Sequence, residues 1–309
     1  IPPDKLYRYT YATDALGFKY LFDRARRDGR PCVVSFSEGS GQDFRGDDRL
    51  YYQVLDSLVG PGRILVASAG NGGLVKSYFS KPRGVVSAGT FVRPSGQRVA
   101  FTVKGTQRYA VRLVDYEAGP DTLLLSSARV AADSVYTCRW AGARVTATAY
   151  ASAYAATDTV VDVVIDSIAS RTLSAEVVGA GAEVSFYRVV GDLVTHAAND
   201  RLTAGECTHN IGSPSSAPAV ICVGSTAYRQ DIYTYLGAHR VYDMGHNGER
   251  TYTSSVGPTY DGRIKPDVMA PGTNIVSAYS SYYLENHPTA WDIVNSDKEH
   301  FGYHRRTYA

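Results

Sequence analysis

No apolar run in this chain approaches the ~20 residues that a membrane-crossing helix requires, so no segment reads as a membrane span. Surplus charge of either sign is also missing. The 32 basic and 30 acidic residues leave a net charge of +2 and are well interspersed, which supplies no footprint for nucleic acid or an anionic membrane. Cysteine is scarce. Cys32, Cys138, Cys207 and Cys222 are widely spaced and form no CxxC pair, so a zinc site is not expected. Seven histidines show no HExxH or other ligand spacing, and no cofactor is implied. The first residues, IPPDKLYRY, lack the basic-then-apolar layout of a secretion signal, which reads as a mature or excised piece. What is present is an ordinary globular composition, 44% hydrophobic and 20% charged. The 309 residues suit two domains, at a prior of roughly 150 residues each.

Along the chain, Ala15, Phe18, Phe22 and Ala25 recur at helical spacing with Leu16 and Leu21 beside them. Thr13 or Asp14 caps that start, and Gly29 followed by Pro31 ends it. CVVSF (32–36) is a short apolar run of the kind that forms a buried strand. A second helix, capped near Asp47, is expected to place Leu50, Val54 and Leu58 on one face, and RILVASAGN (63–71) repeats the buried-strand pattern. Cys32 and Cys222, each in an apolar run, are expected to be buried. Helix and strand alternating at this spacing argue for a parallel sheet with crossover helices.

The texture changes after about residue 79. Up to about 205 there is no helical period, only short alternating runs such as RVAFTVKG (98–105), TVVDVVID (159–166) and EVSFYRVV (183–190), broken by Gly, Pro, Asp and Ser. Regular short strands with turn signals indicate an all-β sandwich inserted into the α/β part. After 205 the first texture returns, with strands expected in APAVICVGST (217–226) and KPDVMAPG (265–272).

Three segments carry chemistry only in combination. VASAGNGG (66–73) runs a strand into a glycine-flanked Asn71. That pattern reads either as a tight Asn-Gly turn or as an amide projected from a strand end to stabilise a developing oxyanion. GSPSSAPAVICVGST (212–226) alone is a loop entering a strand, and TSSVGPTYDGRIKPDVMAPG (253–272) alone is turn, strand, turn.

Taken in order, ASAGN, then SxPxxxPxxIxVGS, then SSxGP followed by KPDVMAPG, the chain resembles the subtilase family of serine peptidases over roughly 1–78 and 206–309. The resemblance implies a fold class of α/β with a mostly parallel subtilase-type sheet flanked by helices. Within it lies the inserted all-β, jelly-roll-like sandwich, a layout similar to that of clostridial germination proteases. The implied division is 1–79 core, 80–205 insert and 206–309 core. The implied activity is endopeptidase hydrolysis through an acyl-enzyme, with a protein or peptide as substrate. Asn71 matches the oxyanion asparagine. Ser37, Glu38 and Gly39 match the strand that pairs with the substrate backbone. Ala69 and Gly70 match the floor of the specificity pocket, and Gly212, Ser213 and Pro214 its facing wall, with Ser213–Pro214 expected to be cis. Glu38 stands where the family carries an apolar residue, which implies a preference for basic side chains. The family's Asp-[ST]-G, His-Gly-Thr and Gly-Thr-Ser-Met segments are missing, so the triad is expected outside this chain and the chain alone is expected to be inert. A pseudopeptidase, or a binding scaffold that uses the sandwich, is the alternative. The resemblance also implies a secreted or cell-envelope protein and leaves structural calcium and oligomeric state open.

Overall fold

The structure is a computed structural model that describes residues 11–39, 49–117, 121–152, 157–170, 172–234, 237–275 and 280–290. Helix α1 (Tyr11–Arg27) buries Ala15, Phe18 and Phe22 and leaves Leu16 and Leu21 exposed. Its last turn carries Arg24, Arg26 and Arg27, placed favourably against the carbonyl end of the helix dipole. The chain leaves through Gly29 in the left-handed region, where Arg30 N–H donates to the Ala25 carbonyl at 3.0 Å.

Strand β1 (Cys32–Phe36), helix α2 (Arg49–Leu58) and strand β2 (Arg63–Ser68) follow, and β1 pairs parallel with β2 from Cys32↔Arg63 to Phe36↔Ala67. The face expected for α2 needs correction. Tyr51, Tyr52 and Leu55 are buried, while Leu50 and Val54 are exposed and Leu58 packs only partly. The tyrosine rings bring more apolar area than Leu50 and Val54, and the Tyr52 hydroxyl finds two serine partners inside. Cys32 is only half-buried, because β1 is covered on one face; Cys222 is fully buried.

Between them stand β3 (Tyr78–Lys81), β4 (Ser87–Arg93), β5 (Arg98–Gly105), β6 (Ala110–Asp115), β7 (Asp121–Ser126), the short helix α3 (Ser127–Asp133), β8 (Val135–Trp140), β9 (Ala143–Ala151), β10 (Thr159–Asp166), β11 (Leu173–Val178), β12 (Val184–Val190) and β13 (Asp192–Val194). They form a six-stranded sheet, β3-β12-β5-β10-β9-β8, and a five-stranded sheet, β13-β4-β11-β6-β7, with antiparallel pairing. One apolar core spans both sheets, including Val99, Phe101 and Val103 of β5, Val111 and Leu113 of β6, and Phe186 of β12. Helix α3 is an element that the strand texture did not indicate. The chain leaves for these sheets and returns at one place, where Ser77 N–H donates to the Glu206 carbonyl (2.9 Å) and Glu206 N–H to that of Tyr78 (2.7 Å).

Strand β14 (Ile221–Thr226) then adds parallel to β2, with Ile221↔Val66 and Cys222↔Ala67, and the sheet order is β1-β2-β14-β17, where β17 is Val268–Pro271. Among the described strands parallel pairing is found in this sheet and the ladders of the other sheets are antiparallel, so the described molecule as a whole is mixed α/β with mostly antiparallel strands, not mostly parallel ones. One face of the sheet, carrying Val34, Leu65 and Ala67, packs on α1 and α2. Val33, Ile64, Ile221 and Val268 are exposed.

Two compact units make up the chain, one of residues 1–223 and 255–268, the other of 224–254 and 269–309. The second holds the hairpin of β15 (Asp231–Tyr233) and β16 (His239–Val241), and α4 (Ser281–Asn286), capped by Ser280 Oγ accepting from Tyr283 N–H at 3.3 Å. The cap expected near Asp47 and both chain ends lie outside the described residues.

Candidate active-site cleft

Past β2 the chain continues its sheet contact for one residue, with Ala69 N–H donating to the Val223 carbonyl at 2.8 Å, and then turns at Gly70 with φ +100°. The turn is held from two sides. Ser255 N–H donates to the Gly70 carbonyl (2.9 Å), and Ser255 Oγ accepts from Gly72 N–H (2.9 Å). Asn210 Nδ2 donates to the Gly72 carbonyl (2.7 Å), while Asn210 Oδ1 accepts from Val256 N–H (2.7 Å). A side chain at Gly72 would start 3.0 Å from Ser255 Oγ, so only glycine lets this serine approach without a shift. The peptide groups flanking Asn71 are thus fixed. The Asn71 side chain itself is exposed and, among the described residues, takes no hydrogen-bond partner.

The opposite wall comes from residues 212–216. Tyr52 of α2 bonds Ser213 Oγ (3.0 Å) and also Ser216 Oγ, Ser215 Oγ donates to the Ser68 carbonyl (2.5 Å), and Arg263 Nη2 donates to the Ser216 carbonyl (2.6 Å). The Ser213–Pro214 peptide is cis, as expected. Gly39, just past β1, comes so close that an added Cβ would lie 2.5 Å from the Ser213 carbonyl oxygen.

These segments enclose a cavity of about 560 Å³. Ser37, Glu38, Gly39, Ala69, Gly70, Asn71, Gly212 and Ser213 all line it. Pro214 is buried behind the wall and does not line it. Sequence reading missed Ser68, Gly72, Val75, Ser77, Arg188, Asn210, Ser215 and Ser255 on the same lining. Ser215 and Ser255 sit inside motifs already singled out, GSPSSAP and TSSVGP, and Asn210 stands two residues before the first. Arg188 has no such signal.

The antiparallel sheets brace this cleft from behind. Tyr78 of β3 stacks on His209 (3.7 Å between ring centres), Tyr187 of β12 packs against Tyr260 (5.1 Å), and Lys104 Nζ donates to the Tyr260 carbonyl (2.9 Å). His209 adjoins Asn210, so the brace reaches the residue that grips the Asn71 turn.

Burial pushes the Cys222 thiol up to about 12, which leaves it protonated and inert at neutral pH. Burial alone would raise the Asp267 carboxyl, but Lys265 Nζ (2.6 Å) and Cys222 N–H (2.7 Å) hold it below the usual aspartate range. Among the described residues no cluster of His, Cys, Asp and Glu is arranged to hold a metal. No described helix is long and apolar enough to cross a membrane.

Residues 123–305, more than half of the chain, match the model of the subtilase family, peptidase S8. The fold is similar to that of the CspB protease of Clostridium perfringens, with a TM-score of 0.63 at 16% identity over 88% of this chain and 54% of that one. An uncharacterised protein of Aquifex aeolicus is 33% identical over 90 residues, 29% of this chain and 37% of that protein. The chain therefore spans well under two thirds of the length of the relatives it matches. With more than half of its length matching the family model, this chain belongs to the subtilase family.

Proposed function

We propose that this chain is an internal part of a subtilisin-like serine endopeptidase, and that its cavity receives the peptide to be cleaved. The observation that carries the reading is the convergence of Ser37–Gly39, Ala69–Asn71 and Gly212–Ser213, from three distant stretches of sequence, round one cavity. In this reading the substrate backbone lies along Ser37–Gly39 and its side chain enters between Ala69–Gly70 and Gly212–Ser213. The attacking serine, the histidine that takes its proton and the aspartate that orients the histidine belong to segments outside these 309 residues. As the serine attacks, the carbonyl oxygen gains negative charge, and the Asn71 amide, on a turn fixed by Asn210 and Ser255, donates to it without having to reorganise.

Residues 80–205 are proposed to be a jelly-roll-like insert between the two core segments 1–79 and 206–309. The meeting of the outgoing and returning strands at Ser77–Tyr78 and Glu206 supports that division. The chain on its own is proposed to be inert, because no histidine in it precedes Gly-Thr and no serine stands in Gly-Thr-Ser-Met. The same absence is the observation that favours a pseudopeptidase as the second reading. A fluorophosphonate probe tests inertness directly. No serine of the folded chain should be labelled faster than in the denatured chain, and faster labelling of any serine would show that the nucleophile lies within it.

A further inference from the structure

The Asn71 side chain is exposed, so its aim depends on the backbone that carries it. That backbone is gripped through one short stretch, His209–Asn210, which runs beside Val256–Gly257. Asn210 N–H donates to the Val256 carbonyl (3.1 Å) and His209 N–H to that of Gly257 (3.4 Å). The Asn210 amide then works in both directions. Its Oδ1 accepts from Val256 N–H, and its Nδ2 donates across to the Gly72 carbonyl, each at 2.7 Å. A shift of Asn210 therefore moves the Gly72 carbonyl directly. It also moves Ser255, next to Val256, whose N–H and Oγ hold the peptide groups on either side of Asn71.

What fixes Asn210 lies in the antiparallel sheets. His209 has φ +56°, a left-handed conformation that a non-glycine residue keeps only where its surroundings over-determine it. Its ring lies face to face on Tyr78 of β3, with 3.7 Å between centres and 21° between planes, and edge-on to Tyr187 of β12 at 5.7 Å. Those two tyrosines are partners in the β3–β12 ladder, so one rigid pair of strands presents both rings. One residue earlier, Ser77 Oγ donates to the Thr208 carbonyl at 2.8 Å. A face contact and an edge contact together set the plane of the imidazole, and with it the strained backbone that aims Asn210.

We propose that His209 is a positioning residue for the oxyanion step, through which Tyr78 and Tyr187 set the aim of the Asn71 amide. The inference rests on the reading of Asn71 given above. It adds a dependence of turnover on Tyr78 and Tyr187, neither of which lines the described cavity. A misplacement of about 1 Å transmitted from a distance costs a rate up to ~100-fold, whereas a junction that served stability alone would leave the reacting geometry unchanged.

The test is a double-mutant cycle on the full-length protein, with kcat and KM measured on one peptide substrate. His209→Asn keeps a residue that tolerates the left-handed backbone but removes the ring. It should lower kcat about tenfold and change KM less than about twofold. In an Asn71→Ala background the same substitution should lower kcat less than about twofold, because no amide is left to aim. Tyr78→Ala should lose as much as His209→Asn, and Tyr78→Phe, which restores a ring, should recover most of that loss. Equal losses in both backgrounds, or no loss from either His209→Asn or Tyr78→Ala, overturn the inference and leave the reading of Asn71 standing. No kcat loss from Asn71→Ala itself, or no turnover by the wild-type protein, overturns that reading and the inference with it. Amide exchange in the 309-residue chain gives a readout free of activity. In Tyr78→Ala the N–H groups of Gly72 and Val256, bound to Ser255 Oγ and Asn210 Oδ1, should exchange about tenfold faster, while that of Val103 in β5 keeps its wild-type rate. Unaltered exchange at Gly72 and Val256, or equally accelerated exchange at Val103, overturns the inference.

Discussion

The antiparallel sheets and the parallel sheet solve the burial problem differently. Each antiparallel sheet covers the inner face of the other, and their shared core draws only on residues between Phe79 and Leu193. The parallel sheet β1-β2-β14-β17 has helices on one face and exposed Val33, Ile64, Ile221 and Val268. Parallel sheets are almost always covered on both faces. Among the described residues the first region closes its core from its own strands, while the second keeps exposed apolar side chains opposite its helices.

The comparison breaks most visibly at Phe186. It is fully buried and stacked between Phe79 (4.6 Å) and Phe101 (4.7 Å). Phe186→Ala should lower the unfolding free energy by about 3–5 kcal/mol, read by urea titration. A loss below about 1 kcal/mol would mean that the two sheets do not share one tight core.

A smaller effect separates the regions by pH. Asp267 holds Cys222 N–H and Lys265 at the parallel sheet, and its side chain is 40% exposed, so screening discounts the interaction. Asp267→Asn should cost about 1–2 kcal/mol at pH 7. Its carboxyl titrates lower in the folded than in the unfolded chain, so its stabilisation is present above about pH 4 and fades as the pH falls further. The gap between wild type and variant should therefore narrow on acidification, and a gap constant from pH 7 to pH 3 would refute the assignment.

The smallest effect is the most telling for the bare face. Val33→Thr, on an exposed strand position, should change the stability of this chain by less than about 0.5 kcal/mol. A covered valine is worth about 1.5–3 kcal/mol, so a loss of that size would show the face to be packed already.

Much of the architecture was legible because sequence and local physics agree there. CVVSF, RVAFTVKG and TVVDVVID are β-branched or aromatic runs ended by polar or glycine residues, and they coincide with β1, β5 and β10. The cleft residues were legible through motif order, since Gly70, Gly39 and the Ser213–Pro214 wall are fixed by backbone approaches that few sequences satisfy. The face of α2 was not. In RLYYQVLDSL nearly every position of the first turns is apolar, so spacing allows two faces, and the Tyr52 hydroxyl with its Ser213 and Ser216 partners decides between them. Helix α3, seven residues without a side-chain cap, is held by packing of Val130 and not by its own sequence. Arg188 was invisible for a third reason: its place in the cleft depends on a β-bulge and on a contact with Ser77, more than a hundred residues away.

Under the proposed function, Asn71 serves the transition state of peptide hydrolysis. Its most direct test is steady-state kinetics of the full-length protein carrying Asn71→Ala, with kcat and KM measured on one peptide substrate. The variant should lose about 100- to 1000-fold in kcat, the magnitude known for an oxyanion asparagine in subtilisin, with KM changed only a few-fold. Unchanged kcat in the variant, or no turnover by the full-length wild-type protein, would contradict it.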